Sequence, residues 1–98
     1  MIYSIDRLIS TGNLKHETST TTVDYAMAWI RYYIEEFDQE AIFVDLLNGD
    51  GTSAGIYHLE NRGSHWTWRH FSQHHGNNGL IRDIVLERAL STIARKRE

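Results

Sequence analysis

The chain has 98 residues, no cysteine and a net charge of −3 with histidine neutral. That length makes one domain, residues 1–98, able to bury about two thirds of its unfolded surface without a staple, and the missing thiols exclude disulfides, zinc ribbons, iron–sulfur clusters and cysteine nucleophiles. No apolar run is long enough to span a bilayer and no basic-then-apolar leader opens the chain, so the expectation is a cytoplasmic protein without a membrane partner.

Residues 1–10 (MIYSIDRLIS) alternate, with Tyr3, Ile5 and Ile9 on one side and Ser4, Asp6 and Ser10 on the other, which predicts a strand. Residues 11–13 can turn, and the threonine-rich residues 14–20 (LKHETST) return as an edge strand or remain a loop. Thr21 with Asp24 resembles a capping box and predicts a helix start. Val23, Ala26, Met27, Ile30, Tyr33, Ile34 and Phe37 then recur at helical spacing, which gives one apolar stripe on a helix ending near Gln39. Residues 41–47 (AIFVDLL) read as a strand, Asn48, Gly49, Asp50 and Gly51 as a hairpin turn, and residues 54–60 and 65–72 as two further strands joined by a turn at Asn61, Arg62, Gly63 and Ser64. A loop capped at Asn77 or Asn78 leads into a last helix over residues 80–97, whose basic end, Arg95, Lys96 and Arg97, complements the helix dipole.

The predicted fold is therefore α+β: an antiparallel sheet, built from a three-stranded meander plus an N-terminal strand or hairpin, with two helices in the order β(β)αβββα. Without its first strand that order is similar to the αβββα order of double-stranded RNA-binding domains. Those domains place a lysine cluster at the start of the last helix, where this chain has Gly79, Leu80, Ile81, Arg82 and Asp83, so the activity is not carried over.

Charge is uneven along the chain. Residues 1–54 hold three bases and nine acids, net −6, whereas residues 55–98 hold seven bases and four acids, net +3. Such a dipole can orient a partner but falls short of the basic excess usual in nucleic-acid binders.

Five of the six histidines fall between His58 and His75, alongside Trp66, Trp68, Arg69 and Phe71. As a metal site the block is poorly disposed, because His65 and His70 differ in parity and so face opposite sides of one strand. His74, His75 and Asp83 would have to converge, and no ligand signature such as HExxH is present, so no metal or other cofactor is expected. With a four-residue turn at 61–64, Tyr57 lies opposite Trp68 and Leu59 opposite Trp66. Ile42, Val44, Leu46, Tyr57, Leu59, Trp66 and Trp68 then share a core face. Phe43, Ile56, His58, His65, Thr67, Arg69 and Phe71 share the other, on which His58, His65, Arg69 and Phe71 form a candidate binding surface. No nucleophile elbow and no phosphate loop occurs, so an enzyme is not expected.

Two helical stripes remain. Tyr25, Trp29 and Tyr32 recur at i, i+4 and i+7 beside the core stripe of the first helix, with Glu35, Glu36, Asp38 and Glu40 as an acidic rim. Exposed tyrosine and tryptophan anchor interfaces, so Tyr25, Trp29, Tyr32, Glu35, Glu36 and Asp38 are the candidate partner-binding residues. In the last helix Ile81, Ile84 and Val85 face one way and Leu86, Ala89, Leu90 and Ile93 another. The second stripe is a candidate homodimer interface.

The functional expectation is a small binding protein acting on another protein, an inhibitor or immunity-type protein. In size, acidity and lack of catalytic motifs the chain resembles small phage-encoded inhibitors such as anti-CRISPR proteins, and bacterial immunity proteins, a similarity of type with no shared motif. The alternatives are a nucleic-acid-binding module using Arg62, Arg69, His70, Phe71 and the C-terminal bases, and a histidine-dependent metalloenzyme.

Overall fold

A computed structural model describes residues 1–37, 39–71 and 81–97. Its elements are β1 (Ile2–Leu8), β2 (Leu14–Thr20), α1 (Val23–Glu36), β3 (Ala41–Leu47), β4 (Ser53–Asn61), β5 (Trp66–Phe71), α2 (Ile84–Leu90) and β6 (Arg95–Lys96). They build the expected α+β fold, a six-stranded sheet in the order β2-β1-β3-β4-β5-β6. All neighbouring strands are antiparallel except β5 and β6, which run parallel. Among the described residues no helix is long and apolar enough to cross a membrane.

Alternation along the central strands decides which side is covered. Tyr3, Ile5, Ile42, Val44, Leu46, Tyr57, Leu59 and Trp68 point to one face and are buried there, beneath Ala26, Met27, Ile30 and Tyr33 of α1 and Leu86 and Leu90 of α2. Each large apolar side chain so buried contributes about 1.5–3 kcal/mol. Both helices thus lie on one side of the sheet. Asp6, Phe43, His58 and Arg69, paired strand to strand, line the other.

Several local expectations change. The chain enters α1 one residue later than the Thr21–Asp24 pattern implies: Thr22 is the cap, and its hydroxyl accepts from the Tyr25 N–H at 3.3 Å. The helix ends at Glu36, so Phe37 is extended and leaves the core stripe. The β4–β5 turn is two residues, Gly63 and Ser64, because the Arg62 N–H donates to the His65 carbonyl at 2.8 Å. Gly63 takes a φ of 90°, which glycine supplies at the first position of such a tight turn. Leu59 consequently faces Trp68, and Asn61 faces Trp66. This corrects the predicted pairing by two residues and leaves the paired residues of β4 and β5 on their predicted faces, whereas His65 falls in the turn.

The C-terminal segment differs most. Helix α2 is capped by Asp83, whose carboxylate accepts from the Leu86 N–H at 2.9 Å, and it stops at Leu90 instead of continuing to residue 97. Ser91 and Thr92 end it: their hydroxyls donate back to the Glu87 and Ala89 carbonyls at 2.8 and 2.6 Å and compete with helical bonding. Arg95, Lys96 and Arg97 are therefore not a helix terminus. Arg95 and Lys96 pair with Thr67 and Trp68, and the Arg97 N–H donates to the Trp68 carbonyl at 2.8 Å. Asn77 and Asn78 lie outside the described residues.

Candidate functional site

The outward face of α1 carries a continuous aromatic surface. Tyr25, Trp29 and Tyr32 are 66, 42 and 47 % exposed, and Phe37, released by the helix end, is 38 % exposed. The rings organise one another: Trp29 stands edge-on to Tyr32 at 6.2 Å and stacks on Tyr33 at 5.9 Å, while Tyr32 stands edge-on to Phe37 at 5.8 Å. Beneath them the Arg7 guanidinium lies 4.2 Å from the centre of the Phe37 ring and 5.7 Å from that of Tyr33. Glu17 holds this cation by an ion pair at 3.0 Å, and its second oxygen accepts from the Tyr33 hydroxyl at 3.5 Å. Burial and the Glu17 charge push the Tyr33 hydroxyl above its ordinary range, so it stays a donor. Glu35 and Glu36 are exposed at the end of the same helix, and Asp38 lies outside the described residues. Spacing identified the first three aromatic residues. It placed Phe37 in the core, and the Arg7 and Glu17 support was not legible because it crosses between elements.

The side of the sheet away from the helices is a ladder of cross-strand rows. One row runs His16, Asp6, Phe43, His58, Arg69, and the next runs Ser19, Ser4, Asp45, Ile56, Phe71. Phe43 and His58 stack with ring centres 4.4 Å apart and planes 1° from parallel. Phe71 stands edge-on to His58, and the Arg69 guanidinium lies 5.5 Å from the Phe71 ring centre. Burial, then the Arg69 charge, holds the His58 imidazole below its ordinary value, so it is neutral at pH 7. His65 is not part of this surface: it sits in the turn before β5, bonded to Ser64 at 2.9 Å.

His70 faces the helix side, 4.6 Å from Tyr57 and 3.0 Å from the Ile81 carbonyl oxygen. Parity thus disperses the histidines over two faces and a turn. Among the described residues no group of three metal-ligating side chains converges, and His74 and His75 lie outside them.

The stripe assigned to a second protomer is corrected. Leu86 and Leu90 are fully buried, and Ala89 and Ile93 pack against the same core, because α2 lays this stripe on the protomer's own sheet. The apolar residues of the segment left outward are Ile81, Ile84 and Val85.

The bases of the C-terminal half are partly occupied: Arg97 and Arg62 both reach Glu60, at 2.6 and 3.6 Å. Beyond the last β1–β3 pair, a cleft of about 550 Å³ is lined by residues including Leu8, Ile9, Gln39, Glu40 and Asn61. Asn61 clamps its floor through the Gln39 and Glu40 carbonyls at 3.2 and 2.8 Å. The Gln39 amide is buried there without a hydrogen-bond partner among the described residues.

Fold and surfaces together define a small α+β protein with an aromatic helix face on one side and a polar sheet face on the other. No protein-family model, no curated protein and no solved structure matches the chain.

Proposed function

We propose that the protein works by binding another protein through the outward face of α1, in the manner of an inhibitor that covers its target. The observation that carries this reading is the exposed run of Tyr25, Trp29 and Tyr32 along α1, continued by Phe37 at its C-cap. Such rings offer large contact area at low entropic cost and keep a polar tip for hydrogen bonding. Contacts among the rings of Trp29, Tyr32 and Phe37 and the paired Arg7 hold these three in place before any partner arrives, which reduces the ordering cost of binding. Glu35 and Glu36 at the helix end favour a target with a basic rim.

Trp29 is the central anchor, and Trp29→Ala is expected to cost about 2 kcal/mol or more, roughly a thirtyfold loss of affinity. The test is affinity capture from the source cells with wild type and Trp29→Ala, followed by titration of the captured protein. A partner bound equally well by a folded Trp29→Ala variant overturns the proposal.

A further inference from the structure

At the β2 edge of the sheet, on the face away from the helices, strands β1 and β2 assemble a cluster that alternation alone keeps apart. His16 and Ser19 are three residues apart on one strand, so a regular strand turns them to opposite faces. The strand is not regular: Ile5 pairs with Thr18 but Asp6 pairs with His16, which leaves Glu17 as a bulge. The extra residue removes one step of alternation and brings His16 and Ser19 onto the face that holds Ser4 and Asp6. Glu17 is sent to the helix side, where it meets Arg7 and Tyr33.

His16 Nδ1 lies 2.9 Å from Asp6 Oδ1 and 3.3 Å from Ser4 Oγ, and His16 Nε2 lies 3.3 Å from Ser19 Oγ. A carboxylate only accepts, so Nδ1 carries the ring proton and the Nε2 lone pair faces the Ser19 hydroxyl. This is the order of groups, carboxylate to imidazole to hydroxyl, that activates a serine for acyl transfer. Ser4 is buried, Asp6 is partly covered and Ser19 is exposed, so the positioning end is fixed while the nucleophile is open to a substrate.

We propose that Ser19 is an acyl-accepting nucleophile with His16 as its general base, that Asp6 and Ser4 are positioning residues, and that the site hydrolyses small uncharged carboxylic esters. Ser19 Oγ bonds to the ester carbonyl carbon as its proton passes to His16 Nε2. The tetrahedral intermediate then expels the alkoxide, which takes that proton, and leaves an acyl-Ser19 ester. Water repeats the sequence: His16 takes its proton, hydroxide adds to the acyl carbon, and Ser19 Oγ leaves and is reprotonated. The sum is ester plus water giving acid plus alcohol. The open site and the carboxylates of Asp6 and Asp45 on this face favour a small substrate without negative charge and with a good leaving group.

The test uses p-nitrophenyl acetate, with nitrophenolate release read by absorbance and the acylated residue located by peptide mass spectrometry. One acetyl group on Ser19 is expected. Ser19→Ala and His16→Gln should each slow release about a hundredfold or more, within the range general-base assistance supplies. Asp6→Asn should slow it and Asp6→Glu restore part of the rate, a recovery that loss of fold does not mimic. Release that persists in Ser19→Ala, or an acetyl group found on Lys15 or His16 instead, overturns the proposal.

Discussion

Single side chains tie α2 to the sheet. Tyr57 is fully buried, yet its hydroxyl donates to Glu87 Oε2 at 2.6 Å and accepts from the Asp83 N–H at 3.0 Å. Arg82 donates to both oxygens of Glu87, through Nε to Oε2 at 2.9 Å and through a second nitrogen to Oε1 at 2.5 Å, and Tyr3 donates to the Asp83 carboxylate that caps the helix. Arg82 therefore holds the Glu87 carboxyl below its usual range, while burial and Glu87 push the Tyr57 hydroxyl up. Tyr57→Phe keeps the ring against Trp68 and His70 but takes from the Asp83 amide its acceptor and leaves Glu87 Oε2 with the Arg82 Nε bond. Urea denaturation should show a loss of about 1–3 kcal/mol. A loss below about 0.5 kcal/mol, within the range of neutral surface changes, would mean that this hydroxyl does not secure the helix.

At the scale of elements, alternation in residues 41–47 and 54–60 and the helical stripe of α1 were enough to read the meander, the first helix and the faces they share. The predicted β4–β5 register was two residues off, yet the face assignment stood because an even shift preserves parity. Spacing also exposed the aromatic stripe, since Tyr25, Trp29 and Tyr32 have no place in a core line already filled by Ala26, Met27, Ile30 and Tyr33. What stayed illegible depends on contacts between elements. The last helix has two apolar stripes, and only its seat on the sheet decides that Leu86 and Leu90 go inward. Strand β6 is two basic residues with no pattern of their own, and the Glu17 bulge, which gathers His16 with Asp6, breaks the very alternation used to read strands. Gly55 belongs with these: a Cβ there would lie 2.9 Å from His70 Nε2 and 3.0 Å from the Ile81 carbonyl oxygen, where the chain returns to donate to Ala54 at 3.0 Å. Gly55→Ala must separate His70 from Ile81 and is expected to cost about 1–3 kcal/mol. Gly49→Ala, whose Cβ would meet nothing within 4 Å, should stay within about 0.5 kcal/mol. Equal thermal shifts for the two variants would count against this seat.

Over the whole molecule, the two faces of the sheet share a response to acid. His58 on the face away from the helices and His70 on the helix face both have imidazoles held below the ordinary 6.5, in each case by burial first. Arg69 adds to this at His58, whereas the Ile81 carbonyl opposes it at His70. A base whose folded value is depressed favours the neutral form in the fold. Its stabilisation is complete above pH 6.5 and is lost as the pH falls from there through the folded values. Glu87 acts later: its depressed carboxyl stabilises the fold above its ordinary 4.5 and ceases to do so as the pH falls further. At the alkaline end the signs reverse, because Tyr3 is raised to about 12 and its contribution, present below 10.0, disappears as the pH climbs through that value. Thermal unfolding should therefore show a plateau bounded by the imidazole and phenol ranges, with the first acid loss between pH 6.5 and 4.5 belonging to the two histidines. The double variant His58→Gln, His70→Gln starts from a lower Tm, since it gives up the Phe43 stack and the Ile81 bond, but its Tm should change less across that interval. The slope, not the starting value, is decisive: an unchanged slope would assign the mild-acid response to other groups.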